Sequence, residues 1–137
     1  MSGMTQYAQK MVGDHMIGVA TYAQANAFWM SLHTGAPTDT GSLAFEVPTP
    51  LGTTGYERID LLAKMAAVEL ATGKSVMNTT VNQGPALIDW GTLTHAGWHD
   101  VKFGGGMTLW GEMSDAQVVF LGKQFQLISG QLEIHWD

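Results

Sequence analysis

The stretch Gln131-Leu132-Glu133-Ile134-His135-Trp136-Asp137 alternates polar and apolar residues without a break. Side chains of a strand point to opposite faces with period two, so Leu132, Ile134 and Trp136 are expected on one face. Gln131, Glu133, His135 and Asp137 are expected on the other. A chain that closes in mid-strand is expected to have its last residues tied into a sheet. Much of the remaining sequence has the same texture, with short apolar runs separated by glycine turns.

The predicted elements follow from this pattern. Ala27–His33, Ser75–Thr79, Ala86–Trp90, Gly91–Asp100, Met107–Met113, Val118–Phe120, Phe125–Ile128 and Gln131–Trp136 read as strands. Gly104-Gly105-Gly106, Gly122 and Gly130 mark turns. Tyr56–Ala71 fits a helix on propensity, but among so many strands we read it as two strands with a bend. The one clear helix spans 5–17. There Met4, Tyr7, Ala8, Met11, Val12, His15 and Met16 recur at spacings of three and four. Thr5 is placed to cap it and Gly18 to stop it. Asp14 near its C-terminal end opposes the helix dipole. The fold class expected is mainly β, an antiparallel sandwich of jelly-roll type with one short N-terminal helix. One domain over 1–137 is expected, with 1–18 as a helical arm. A helix capping its own sheet is the plainer reading of that methionine-rich segment. Thr34–Leu51 reads as a long loop punctuated by Pro37, Pro48 and Pro50, a length usually associated with function or with ordering by a partner.

Composition narrows function more than motifs do. Apolar residues make up 45% of the 137 residues, enough for a packed core, but only 13% are charged. A surface so poor in ions suggests cover by other copies or by a partner. The six basic residues are scattered and the net charge is −6, which argues against nucleic acid. No run of about 18 apolar residues suggests a membrane span. The N-terminus lacks the pattern of a signal peptide, so synthesis and folding in a cytoplasm are expected. Without cysteine there is no disulfide, thiolate nucleophile or Cys-based zinc site.

Candidate chemistry is sparse. His95 and His99 lie four apart on one predicted strand and would share a face, as half of a metal site needing a third ligand such as His33, His135 or Asp89. Two half-exposed strand histidines are the simpler explanation. No serine sits in a Gly-x-Ser-x-Gly elbow, and the triple glycine lacks the Lys-Ser/Thr of a phosphate loop. The carboxylates are dispersed. No enzyme activity and no cofactor are expected. The five tryptophans, Trp29, Trp90, Trp98, Trp110 and Trp136, are candidates for core or for interface anchors.

Several short motifs occur in a recognisable order: Asp14-His15, Ala20-Thr21-Tyr22-Ala23, Leu32-His33-Thr34-Gly35-Ala36-Pro37, Gly55-Tyr56-Glu57-Arg58 and Trp90-Gly91-Thr92-Leu93-Thr94-His95. Asp100, Gly105-Gly106, Trp110-Gly111 and the hairpin from Gly122 through Gly130 to Leu132–Trp136 follow. In this order they resemble a family of small tailed-phage virion proteins, labelled variously tail-fibre-like or head-decoration-like. The triple glycine before Met107, Lys123 after Gly122, and residues 63–74 depart from the family pattern. The resemblance implies a virion structural protein. A compact chain without repeats or coiled coil favours a capsid decoration or cement protein on the head surface, binding the major capsid protein and self-associating as a dimer or trimer. A tail or tail-fibre-associated module contacting the host is the alternative. A carbohydrate-binding β-sandwich, with exposed tryptophans stacking on sugars, is a more distant one. Interface roles are expected for Tyr7, Met11, Met16, His33, Pro37, Phe45, Pro48 and Trp98, on the helix, the long loop and the central strand.

Overall fold

A computed structural model describes residues 3–22 and 26–135. Among them a short strand β1 (Gly3–Met4) precedes helix α1 (Gln6–Met16). Strand β2 (Trp29–His33), a single helical turn α2 (Leu51–Thr54), β3 (Ile59–Asp60), β4 (Lys74–Val76) and β5 (Val81–Gln83) follow. The long strands β6 (Gly91–His99) and β7 (Met107–Val119) come next, then β8 (Phe125–Leu127) and β9 (Glu133–His135). One five-stranded antiparallel sheet has the order β1-β7-β6-β2-β3. Two ribbons, β4-β9 and β5-β8, stand apart from it. The fold is thus mainly β, antiparallel and sandwich-like with one N-terminal helix, as expected. Jelly-roll connectivity is not part of this strand order.

Residues of the central sheet go to two faces. Met30 pairs with Trp98 and Leu32 with Ala96 across β2 and β6. These four belong to the main apolar cluster, with Tyr56, Leu61, Met77, Val81, Trp90, Leu93, Phe125 and Ile134. Ribbon residues therefore cover this face: Met77 and Ile134 from beside and within β4-β9, Val81 and Phe125 from β5-β8. Leu93 and Ala96 both reach the cluster although they lie three positions apart on the strand. Strict alternation forbids that, and the register shift between Leu93 and His95 resolves it. At the same place Glu112 pairs with His95 and Gln117 with Leu93, so Met113, Ser114, Asp115 and Ala116 stand opposite Thr94 alone.

The opposite face carries the alternate residues, Trp29, Ser31, His33, His95, Gly97 and His99. It is covered by the long loop. Thr34 and Phe45 are joined by a backbone hydrogen bond, Val47 N–H donates to Leu32 O, and Gln6 N–H donates to Asp39 O. The Trp110 indole donates to Asp39 Oδ1 at 3.2 Å. Pro37 and Val47 are buried. The long loop, whose length suggested ordering by a partner, instead folds back on its own sheet.

α1 starts where predicted. The Thr5 hydroxyl caps the Ala8 N–H and also donates to the Met107 carbonyl, fastening the helix to β7. The dipole mismatch of Asp14 is offset by an ion pair with Lys10 one turn earlier. Gly18 has a positive φ of 79° after the last turn. Ala8 alone of the helix is buried, while Met16, Ile17 and Val19 are more than two-thirds exposed.

Two predicted strands are corrected. Ala86–Trp90 is not a strand: Ala86 N–H donates to Lys123 O, Gly122 N–H donates to Ala86 O, and Leu87 N–H donates to Thr54 O. The ladder partner in that region is β5, read from sequence as a separator. Met107–Met113 and Val118–Phe120 are one strand, continuous through the shifted register. Tyr56–Ala71, read as two strands with a bend, contains one short strand, β3, followed by turns and the isolated bridges Met65–Met77 and Glu69–Lys74. In β9 the expected alternation holds: Ile134 is buried between exposed Glu133 and His135. Trp136 and Asp137 lie outside the described residues.

Candidate functional site

The densest polar cluster lies beneath the long loop. Ser31 sits at the centre of β2 and pairs with Gly97 of β6. Its hydroxyl lies 2.7 Å from Nε2 of His33 and 2.7 Å from Nε2 of His99, and 3.2 Å from the Gly97 carbonyl. All three side chains are 0% exposed. A hydroxyl has one proton and two acceptor sites. Two Nε2–H donors to Ser31 Oγ, with the hydroxyl proton given to Gly97 O, satisfy it completely. That arrangement leaves each Nδ1 as a bare acceptor, and neither Nδ1 has a hydrogen-bond partner. An unpaired acceptor is tolerated better than a stranded N–H. The Gly105 backbone lies near enough to favour the charged form of His99, but no hydrogen bond to its Nδ1 forms.

Both rings are held neutral. Burial, helped by the Arg58 guanidinium, lowers the His33 pKa from 6.5 to about 4 and the His99 pKa to about 3. Arg58 itself is 4% exposed. Its Nε and Nη2 each donate to Glu46 at 2.9 Å, and its Nη1 to the Val101 carbonyl at 3.2 Å. This forked pair ties the loop, through Glu46, to the segment before β3 and to the turn after β6. The serine and its two histidines join β2 to β6, and Arg58 stitches the loop to them. The Ser31 hydroxyl is closed to solvent.

The histidines predicted to share a face do so, but they have different partners. His95 is opposite His33 in the ladder, places Nδ1 2.8 Å from Thr94 Oγ1, and lies over Trp110 with centroids 6.1 Å apart. His99 instead joins Ser31. Asp89 accepts from Leu121 N–H and His135 lies on β9, away from both. Among the described residues no three His, Asp or Glu side chains converge as metal ligands.

The predicted interface residues divide by exposure. Tyr7, Met16, Phe45 and Pro48 are exposed and Met11 is half-buried. Tyr7 donates to Asp100 Oδ2 at 2.6 Å, which together with partial burial pushes its pKa up to about 12. His33 and Pro37 are buried by the chain's own packing, which removes them as surface contacts. Trp98 is 6% exposed and belongs to the core. Trp90 and Trp110 are buried as well, and half-buried Trp29 lies under the Lys102 ammonium at 5.4 Å. Of the described tryptophans only Trp29 keeps more than a few per cent of its surface exposed.

Sequence reasoning missed a cavity of about 660 Å³ on the ribbon side of the sheet. Met30, Leu32, Trp98, Phe125 and Ile134 contribute to its apolar lining, and Gly111–Asp115 of β7 and Gly130–His135 of the C-terminal segment also line it. It also missed an exposed apolar group, Leu87, Ile88, Val118, Phe120 and Leu121, where β7 ends beside the start of β6. The signal for the second was available in the unbroken run Val118-Val119-Phe120-Leu121, whose members cannot all face a core.

A sequence model of the family described as Podophage GP4 fiber I protein gp80 matches residues 3–135. No curated protein matches the chain.

Proposed function

The chain belongs to the podophage GP4 fibre I protein family, a family of phage structural proteins, and from that premise we propose that it is a structural module of the tail fibre. The match over residues 3–135 carries this reading, because it takes in every described element rather than one shared motif. The fibre reading replaces capsid cementing as the preferred function. The case for cement rested on a compact chain without repeats or coiled coil, and on an N-terminal segment and a proline-rich loop suited to lie across neighbours. Here the loop is bonded to its own sheet through Val47, Asp39 and Glu46, and the start of the helix is fastened to β7 through Thr5. Neither is free to span a gap without breaking bonds within the domain.

A compact module suits a fibre if it can be joined to others through limited surfaces. The exposed group around Phe120 and Leu121, and the pair Met16 and Ile17 after α1, are such surfaces. Cryo-EM reconstruction of the virion tests the proposal. Density for this fold in fibres or at their attachment points supports it. Density repeated over the head at capsid lattice positions would overturn it in favour of decoration.

A further inference from the structure

Five large apolar side chains crowd one end of the central sheet. Leu87, Ile88, Val118, Phe120 and Leu121 are between 38% and 64% exposed. Hydrogen bonds hold their segments side by side. Trp90 N–H donates to Val119 O and Gly122 N–H to Ala86 O, while the Asp89 carboxylate accepts from Leu121 N–H at 2.8 Å. Val119 is 1% exposed and packs in the core, so strand alternation turns its neighbours Val118 and Phe120 outward. The group lies away from the ends of the described segments. Gly3 pairs with Trp110 beyond the β7 register shift, Trp29 with His99 at the other end of β6, and His135 with Lys74 on a separate ribbon. At about 200 Å² for a fully exposed residue of this size, the five leave roughly 500 Å² of apolar surface in one place, near the upper end of what a lone domain shows.

We propose that this surface is a self-interface, on which a second copy of the chain packs about a two-fold axis. Area and charge both point to that occupant. Two such patches brought together remove roughly 1,000 Å² of apolar surface from water, and a polar rim raises the contact into the class of specific interfaces, about 1,200–2,000 Å² in all. The rim holds one charge of each sign. Asp89 and Lys123 flank the apolar group, both are exposed, and neither has an ion-pair partner among the described residues. A two-fold axis sets each Asp89 against the Lys123 of the other copy, giving two reciprocal pairs. The net charge of −6 is carried outside this group, so the contact forces no like charges together. A strongly basic or acidic partner would find no rim of single sign here.

Sedimentation velocity of the protein between about 1 and 500 μM tests the contact. A reversible monomer–dimer equilibrium is expected, with a dissociation constant of about 1–100 μM. Hydrogen exchange at the two ends of that range should show protection gained within 87–92 and 118–123. Phe120→Asp, at an exposed position, should weaken the dimer at least about thirtyfold and leave the melting temperature of the dilute protein unchanged. Lys123→Ala should weaken it about two- to fivefold. Asp89→Asn, which keeps an acceptor for Leu121 N–H, should do the same, and the double variant should lose no more than either alone. A protein that stays monomeric to 500 μM would overturn the two-fold contact and leave the surface to another virion protein. Trimers or open-ended larger species, protection confined to other segments, additive losses in the double variant, or a Phe120→Asp variant that dimerises as wild type does would also overturn it. The dimer names the partner for one joining surface of a fibre module, yet the two readings fail separately. A monomer in solution removes the contact and leaves a fibre position standing, while density over the head removes the fibre and leaves the dimer standing.

Discussion

Acidification from pH 7 to pH 5 should destabilise this protein through His33 and His99. The unfolded chain takes up a proton on each ring near pH 6.5, whereas the folded chain refuses it until about pH 4 for His33 and about pH 3 for His99. Both folded pKa values are depressed, so the unfolded state binds more protons across this window and stability falls as pH falls. The contribution is complete above about pH 6.5 and is lost progressively down to the folded values. Over these two pH units each ring costs about 2 kcal/mol, and the pair about 4 kcal/mol. That is a large share of the roughly 5–15 kcal/mol that holds a domain of this size together. Urea titrations followed by tryptophan fluorescence should show the midpoint falling by about 2 M, taking a slope of about 2 kcal/mol/M. The variant His33→Gln/His99→Gln keeps an amide near the Ser31 hydroxyl but cannot titrate. It should be less stable at pH 7 and show a much flatter dependence, with each single variant intermediate. A wild-type midpoint unchanged between pH 7 and pH 5, or an equally steep fall in the double variant, would refute the assignment of neutral buried rings.

Arg58→Ala leaves the Glu46 carboxylate nearly buried without its forked partner and should cost about 3–5 kcal/mol by urea denaturation. Arg58→Lys should recover less than half of that, since an ammonium cannot bond both carboxylate oxygens and the Val101 carbonyl in the same plane. Leu93→Ala, at a site with no exposed surface in the main cluster, should cost about 2–5 kcal/mol, with a correspondingly lower melting temperature by calorimetry. Gly55→Ala should lose about 2 kcal/mol or more, because φ is 79° there and the added Cβ would meet the Pro85 carbonyl oxygen at 2.3 Å. Parity with wild type in thermal melts would show that the turn after α2 relaxes freely.

The parts of the fold legible in the sequence were those in which pattern and burial agree. The helix was visible because Thr5 and Gly18 bracket a stripe of period three to four, and both residues do what their chemistry suggests. Ile134 between Glu133 and His135 kept its predicted side. The ribbon β5-β8 was half missed, because Val81-Asn82-Gln83 is too short and polar to register as a strand until Phe125 closes over it. The interface assignment of His33 failed for a more general reason. A histidine in a run ending in a loop reads as half-exposed, and only the return of that loop buries it.

This return explains why function was harder to read than fold class. Binary patterning assumes one apolar face per strand and leaves polar residues to water. β6 violates the assumption: Leu93, Ala96 and Trp98 enter the apolar cluster, yet His99 on the other face is just as thoroughly buried. The sheet is closed on one side by ribbons and on the other by a loop with almost no regular structure. The second closure depends on a few oriented polar contacts, namely Asp39 with Trp110 and Glu46 with Arg58, laid over a cluster of Ser31 and two histidines that the sheet itself supplies. The partners that join loop to sheet lie 12 and 71 residues apart, so no local motif announces them. A loop held this way is part of the domain's architecture and is no longer available as an arm. Length and proline content alone pointed towards a partner, and the partner they found is the chain's own sheet.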